Sequence, residues 1–321
     1  MDMWIGAEDR AMRAVVCSSR ALFYTDMPGF VRAGSGLCRI GRWLAIVQDD
    51  ANYIALVSDD EVRRLELPAG EGGARIFEAR LGNKGAKWDL ESCVVAAAPD
   101  GTRWLLGVGS GSRPARCRVV LARIDEAAGA LLEVRVVALP ALYAALAGCV
   151  GFAGGELNME GAAWLGDRLR LFNRGNGDAA LGAQVDASVD LSWPMLWAHM
   201  LDPEHAPAPH LERVTAYSLG VLDGVRLTFT DAAVAPDGRV VFLASAEDSP
   251  DAYDDGEVRG AVVGVFEEGA APRWARVVDE RGVALTEKFE GLVVEDGRAW
   301  ALVDADDPDM PARLYELELV W

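Results

Sequence analysis

Apolar residues come in short runs along this chain, and the runs come in pairs. "LESCVVAAAPDGTRWLLGVGSGS" (90–112) has an acid, an apolar run, a Pro-Asp-Gly turn, a second apolar run and a polar cluster. The same order recurs in "LNMEGAAWLGDRLRLFNRGNG" (157–177), "FTDAAVAPDGRVVFLASAEDS" (229–249) and "FEGLVVEDGRAWALVDADDPD" (289–309), and more weakly in "GSGLCRIGRWLAIVQDD" (34–50). Asp and Gly accept the backbone angles of a tight turn, and the flanking runs are rich in Val, Leu and Trp, so each copy predicts a β-hairpin. Further strand-like runs follow most hairpins: "YIALVS" with "VRRLEL", "CRVVLARI" with "LLEVRVVAL", and "GAVVGVF" with "RWARVV". Only "PALYAALAGCV" (140–150) and "SWPMLWAHML" (192–201) read as helical, both in connections. Four strands per copy, repeating every roughly 50 to 70 residues, predict an all-β chain: a single β-propeller domain over 1–321 with five four-stranded blades. A sixth blade is the alternative, if 178–225 hides a degenerate copy. "MRAVVCS" and "RLYELEL" would pair in the last blade, joining the N- and C-terminal strands and removing an open edge.

In such a wheel the first strand of each hairpin lines the central channel. Its opening residue is Ser35 or Gly36, then Glu91, Glu160, Asp231 and Glu290, so distant carboxyls are expected to meet at one mouth. Strand alternation puts Asp89, Asn158 and Lys288 beside them. The polar clusters at the strand exits (48–50, 110–113, 173–176, 247–249 and 304–307) supply a rim, with Arg113, Asn173, Arg174 and Asp304 as candidate ligand contacts. Carboxylates that close cannot all stay ionised and unpaired. Three arrangements meet this. The acids cap inner strands by accepting backbone N–H groups. Or Glu91, Glu160, Asp231, Glu290 and Asn158 hold a hard divalent ion, calcium or magnesium, through oxygen ligands. Or Lys87, Lys288, Arg113 and Arg174 pair with the acids and leave an anion site.

Composition narrows the function. Fifty acids against 31 bases give a net charge of −19, which excludes phosphate-backbone binding and disfavours anionic membranes. The five cysteines are odd in number and form no CxxC pair, as expected of buried free thiols in a reducing compartment. The N-terminus lacks a leader pattern, and no apolar run reaches the roughly 18 residues of a span. A soluble, cytoplasmic monomer without an organic cofactor is the expectation. His199, His205 and His210 fit no zinc spacing and read as a solvated, proline-rich loop. "GVGSGSRPAR" is followed by neither a helix nor a Lys-Ser/Thr pair, so it reads as a rim turn rather than a phosphate loop. "SAEDSPDAYDDGEV" misses the EF-hand spacing and reads as a solvated loop. Trp43, Trp104, Trp164 and Trp300 recur at the hairpins as blade-to-blade packing.

"KFEGLVVEDGRAWALVDADD", "DLESCVVAAAPDGTRWLLGVGSGSR" and "NMEGAAWLGDRLRLFNRGNG" resemble the recurring strand motif of esterase-like, phytase-like bacterial β-propellers. The channel set is more distantly similar to that of calcium-dependent gluconolactonase-type propellers. The resemblance implies a propeller that hydrolyses an ester, phosphoester or lactone with help from a divalent metal. It makes Glu91, Glu160, Asp231 and Glu290 the channel acids, with Asn158 and Lys288 beside them; in the hydrolase reading of this site, Glu160 or Glu91 is the catalytic base. The chain departs from the pattern at Ser35 and Gly36, where no acid opens the first copy, and at Asp231, which Ala rather than Gly follows. It also lacks the cluster of lysines and arginines that grips phosphate in a phytase. The second reading of the same residues is a non-enzymatic propeller that binds a small molecule or a protein.

Overall fold

A computed structural model describes residues 3–248, 256–267 and 269–321. Residues 249–255, half of the acid-rich stretch "SAEDSPDAYDDGEV" (245–258), therefore lie outside the described residues. The fold is all-β; among the described residues it has three α-helices, Pro140–Gly148, Val150–Ala153 and Trp193–Leu201, in the two connections where the sequence places them.

Four-stranded antiparallel meanders build the architecture. The first sheet runs Gly34–Ile40, Trp43–Gln48, Tyr53–Val57 and Val62–Glu66; the second runs Leu90–Ala97, Arg103–Gly109, Arg118–Asp125 and Ala130–Ala138. The third is Met159–Trp164, Arg168–Asn173, Asp186–Ser192 and Leu211–Ser218, with Met3–Ile5 added in parallel at its edge. Residues 178–225 thus give the third sheet its two outer strands rather than a separate copy. The fourth meander is Val225–Val234, Val240–Asp248, Glu257–Phe266 and Arg273–Val278. The fifth is Phe289–Glu295, Arg298–Val303 and Arg313–Val320, completed by Arg13–Ala21, which pairs antiparallel with Arg313–Val320. Short parallel pairing of Val277 and Val278 with Ala14 and Val15 joins these last two into one ten-stranded sheet.

The first strand of each meander packs against the first strand of the next, and that of the fifth against that of the first. Five apolar clusters fill the spaces between neighbouring meanders. Trp43, Val47, Leu90 and Leu105 lie between the first and second, and Val241, Leu243, Leu292 and Ala301 between the fourth and fifth. A sheet covered on both faces has no solvent side. This is why Trp43–Gln48 is buried at every position instead of alternating. The arrangement is propeller-type. Trp43 is fully buried and donates from Nε1 to the Glu126 carbonyl of the second sheet (3.0 Å), and Trp104 and Trp164 meet Trp197 and Trp193 of the third helix. The indoles therefore work in packing.

Two expectations change. Only Cys38 and Cys93 are buried; Cys17 is exposed and Cys117 and Cys149 are half-buried, although all five are free thiols. His199 belongs to the third helix and is buried, with Nδ1 2.7 Å from the Ala206 carbonyl, so the solvated-loop reading applies to His205 and His210 alone. Among the described residues no helix is long and apolar enough to cross a membrane.

Candidate functional site

Each first strand carries a β-bulge near its start, and the bulges build the site. The pairing skips one residue per strand. Gly34 and Gly36 face Gln48 and Val47; Leu90 and Ser92 face Gly109 and Val108; Met159 and Gly161 face Asn173 and Phe172. Phe229 and Asp231 face Ala244 and Leu243, and Phe289 and Gly291 face Val303 and Leu302. The skipped residues are Ser35, Glu91, Glu160, Thr230 and Glu290. A bulge frees one residue from the ladder and re-aims its side chain.

The residue after each bulge turns toward the next strand's backbone. A Cβ on Gly36 would lie 2.8 Å from the Ser92 backbone, and one on Gly161 3.1 Å from Ala232 N. On Gly291 it would meet Leu37 at 2.8 Å. This is the physical content of the repeated Glu-Gly pair: the acid leaves the ladder, and the glycine permits the close approach beside it.

The fourth strand corrects the sequence register. Asp231 occupies the glycine position, and Thr230 occupies the acid position. Asp231 is buried outside the cavity described below. Its Oδ2 accepts a hydrogen bond from Leu292 N (2.7 Å), tying the fourth meander to the fifth, and Oδ1 has no hydrogen-bond partner. Burial pushes this carboxyl well up, and the nearby Cys38 and Glu160 add to the effect against the backbone N–H groups of Ala232 and Leu292. Asp231 is therefore removed from the expected metal set. The two hydroxyl bulge residues are also committed: Thr230 Oγ1 donates to the Phe289 carbonyl (2.6 Å), and Ser35 Oγ to that of Leu90.

A cavity of about 410 Å³ opens over this hub. It gathers Asp49 and Asp50 from the first meander; Lys87, Asp89, Glu91 and Arg116 from the second; and Asn158, Glu160, Arg174 and Asn176 from the third. Glu247 comes from the fourth, and Lys288, Glu290, Asp304, Asp306 and Asp307 from the fifth. Glu78, Arg80 and Lys84 reach in from the connection between the first and second. Eleven carboxyls line it against six cationic side chains.

The buried cations are held among acceptors. Lys87 Nζ lies 2.6 Å from Asp49 Oδ2 and 2.5 Å from Asp89 Oδ1. Arg116 Nη1 donates to Asp89 Oδ2 (2.7 Å) and Ser112 Oγ (2.8 Å), and Ser110 Oγ also donates to Asp89. Arg174 Nη2 pairs with Glu247 Oε2 at 2.5 Å and Nη1 with Glu160 Oε1 at 3.4 Å, while Nε donates to Thr228 (3.1 Å). Lys288 Nζ pairs with Glu290 Oε1 at 2.8 Å. Burial alone would raise Asp89, but Lys87, Arg116 and Ser110 hold it below the usual range. Glu247 is likewise held down against burial by Arg174 and Lys288. Burial works against the charge on Lys87, yet Asp49, Asp89 and Glu91 override it and keep the ammonium protonated.

Glu91 and Asp304 differ. Neither carboxyl has an ion pair or hydrogen bond among the described residues. Burial pushes Glu91 well above the carboxylate range, reinforced by Asp89, Glu160 and Asp49. Burial, with Asp306 and Asp49 nearby, pushes Asp304 up to about 8.

The other expected residues sort as follows. Asn158 lines the cavity, but its Nδ2 donates to Glu160 Oε1 (2.8 Å) and Asn176 Oδ1 (3.1 Å), so it orients Glu160. Asn173 is fully buried outside the cavity, where Oδ1 accepts Asn158 N (2.8 Å) and Nδ2 donates to the Val185 carbonyl (2.9 Å). Arg113 is exposed and outside the cavity; Arg116, three residues on and unremarked in the sequence, is the cation that enters. Arg32, Glu78 and Arg80 were also unforeseen. They form a relay in which Arg32 pairs with Asp50 (2.6 Å) and Glu78 (2.7 Å), and Glu78 with Arg80. Their stretch has no hairpin pattern to place it. Of the expected metal set, Glu160 is paired with Arg174 and Glu290 with Lys288. One carboxylate oxygen each from Asp49, Asp89 and Glu91 lies within 4.8 Å of the others, a spacing that can hold a metal ion once Lys87 withdraws.

One family profile matches residues 30–319, that of a family of unknown function, DUF6929. The chain belongs to this family. No curated protein matches the sequence. Solved structures similar to this DUF6929 chain include the PQQ-bound aldose sugar dehydrogenase of Streptomyces coelicolor, 14% identical over 98% of this chain and 100% of that one, TM-score 0.45. A mannose phosphorylase from Leishmania mexicana in complex with phosphate is 14% identical, covering 94% and 88%, TM-score 0.46. A putative glycoside hydrolase from Parabacteroides distasonis is 12% identical, covering 89% and 87%, TM-score 0.44. Likenesses this distant decide neither the activity nor the residues of the site.

Proposed function

We propose that this DUF6929 chain is a five-bladed propeller of one domain, its last blade completed by Arg13–Ala21. We propose further that the cavity over its hub hydrolyses a small ester or lactone, with Glu91 moving the proton. One observation carries the reading. Of the five bulge residues, Ser35 and Thr230 bond to neighbouring carbonyls, Glu160 is held by Arg174 and Asn158, and Glu290 by Lys288; among the described residues, Glu91 alone of the five has neither ion pair nor hydrogen bond. A buried carboxyl raised well above the usual carboxylate range is suited to act as a general acid. Water adds to the carbonyl carbon, the bond to the alcohol oxygen breaks, and the Glu91 proton passes to that oxygen. A proton from the attacking water returns to Glu91, so ester and water give acid and alcohol. Phosphoesters fit less well, because Lys87, Arg116, Arg174 and Lys288 are already engaged by the lining. Calcium or magnesium on Asp49, Asp89 and Glu91 would need Glu91 ionised, and would supply Lewis-acid polarisation of the carbonyl in place of its proton.

The test is turnover of p-nitrophenyl acetate, gluconolactone and p-nitrophenyl phosphate by wild type and Glu91→Gln. The variant is expected to lose about 10²–10⁴-fold on the ester or lactone. Its residual rate should also lose the wild-type fall at alkaline pH, because the acid form of Glu91 is the active one. Equal rates in both proteins would refute the assignment. A non-catalytic binding role is favoured by the commitment of the other four bulge residues, and absence of turnover on the whole panel would decide for it.

A further inference from the structure

We propose that the hub cavity takes a small organic cation, a ligand bearing a primary ammonium or guanidinium group, with Asp304 as its anchor. The inference rests on the hydrolase reading only for what happens at the other end of the ligand, where a reacting ester would face Glu91.

The cations of the hub decide the class. Lys87 is clamped between Asp49 and Asp89, and Arg174 among Glu160, Glu247 and Thr228, while Lys288 lies against Glu290. At the buried floor an anionic ligand would have to break one of these pairs and leave its carboxylate alone, which costs several kcal/mol; Lys84, which has no ion pair among the described residues, is exposed at the mouth and offers only a solvent-screened contact. A cationic ligand breaks none. It meets Asp304 and Glu91, which line the same cavity, have no partner among the described residues and both lie close to Asp49. Asp304, raised to about 8 in the free chain, gives up its proton as the cation binds, and the resulting ion pair gains a charge-assisted hydrogen bond. The volume of about 410 Å³ lies within the usual range of small-molecule sites. The charge of the whole chain, −19, draws cations toward the mouth and repels anions.

The test compares four-carbon probes that differ only in charge: 1,4-diaminobutane, 1,4-butanediol and succinate, titrated calorimetrically into the full chain at pH 7 and low salt, with calcium chloride alone as a fourth. The diamine is expected to bind, the diol and succinate not. Asp304→Asn should weaken the diamine at least tenfold, and Glu91→Gln serves as a second variant should the first misfold. Binding of succinate or the diol as tightly as the diamine overturns the proposal. So does diamine binding undiminished in both variants, and so does calcium binding without diamine binding. A chain that binds the diamine yet cleaves no ester refutes the hydrolase reading and leaves this one standing. Cleavage of a neutral lactone without diamine binding does the reverse.

Discussion

At the scale of single residues, the hub is a set of buried charges sorted into those with partners and those without. Among the described residues Asp304 is without one. Its carboxyl is raised from the ordinary value to about 8, so the folded chain resists ionising it while the unfolded chain does not. The stability this group contributes is complete below pH 4 and is lost as pH rises toward and through 8. Asp304→Asn should therefore leave the melting temperature unchanged near pH 4 and raise it by roughly 4 °C at pH 9, measured by calorimetry across that range. An equal effect at both pH values would contradict the assignment. Lys87 makes the opposite case. Lys87→Met leaves Asp49 and Asp89 facing each other and should cost about 3–5 kcal/mol, read by urea unfolding. Calcium at about 100 times its dissociation constant would add roughly 2.7 kcal/mol to wild type. Because Lys87 fills the space between two of the three oxygens, added calcium is expected not to approach that saturation, so neither calcium nor EDTA should shift the transition by that much.

At the scale of the strand, the bulge and the glycine after it form one unit. Gly36→Ala forces a Cβ to 2.8 Å from the Ser92 backbone and should destabilise by about 3 kcal/mol, whereas Gly148→Ala, with open space around it, should be near neutral. Thr230→Val keeps the shape and removes the bond to the Phe289 carbonyl, for an expected loss of about 1–2 kcal/mol. The hairpins themselves were legible, because paired apolar runs around Asp-Gly turns have few other uses. The bulge register was not. "FTDAAV" offers an acid one place after the structural position, and sequence alone has no means to tell a skipped residue from a paired one. Ser35 and Thr230 answer to the bulge, while Asp231 answers to a backbone N–H on the next strand.

At the scale of the whole molecule, the strand Arg13–Ala21 lies between Arg313–Val320 and Arg273–Val278. Removing residues 1–21 exposes both edges and uncovers Tyr315 and Leu317 of the cluster between the last two meanders. Such a chain should lose about 10 °C or more in melting temperature and associate through its open edges, as calorimetry and size-exclusion chromatography would report. Retention of a single sharp transition at the wild-type temperature would mean that this strand is not what completes the last blade.

The amino-acid pattern determined that strands come in paired runs, where the tight turns fall, which two connections are helical, and that acids open several first strands. Each depends on neighbours in sequence: turn chemistry, runs of apolar residues, local spacing. Only the tertiary structure decided which acid faces which cation. Glu91 and Glu160 occupy equivalent bulges, yet Glu160 is held by Arg174 at the exit of the neighbouring strand, while Glu91 has no ion pair or hydrogen bond among the described residues and meets the carboxyls of Asp89, Glu160 and Asp49 instead. Electrostatic environment is set by groups brought within a few ångströms by folding, and no local pattern records it.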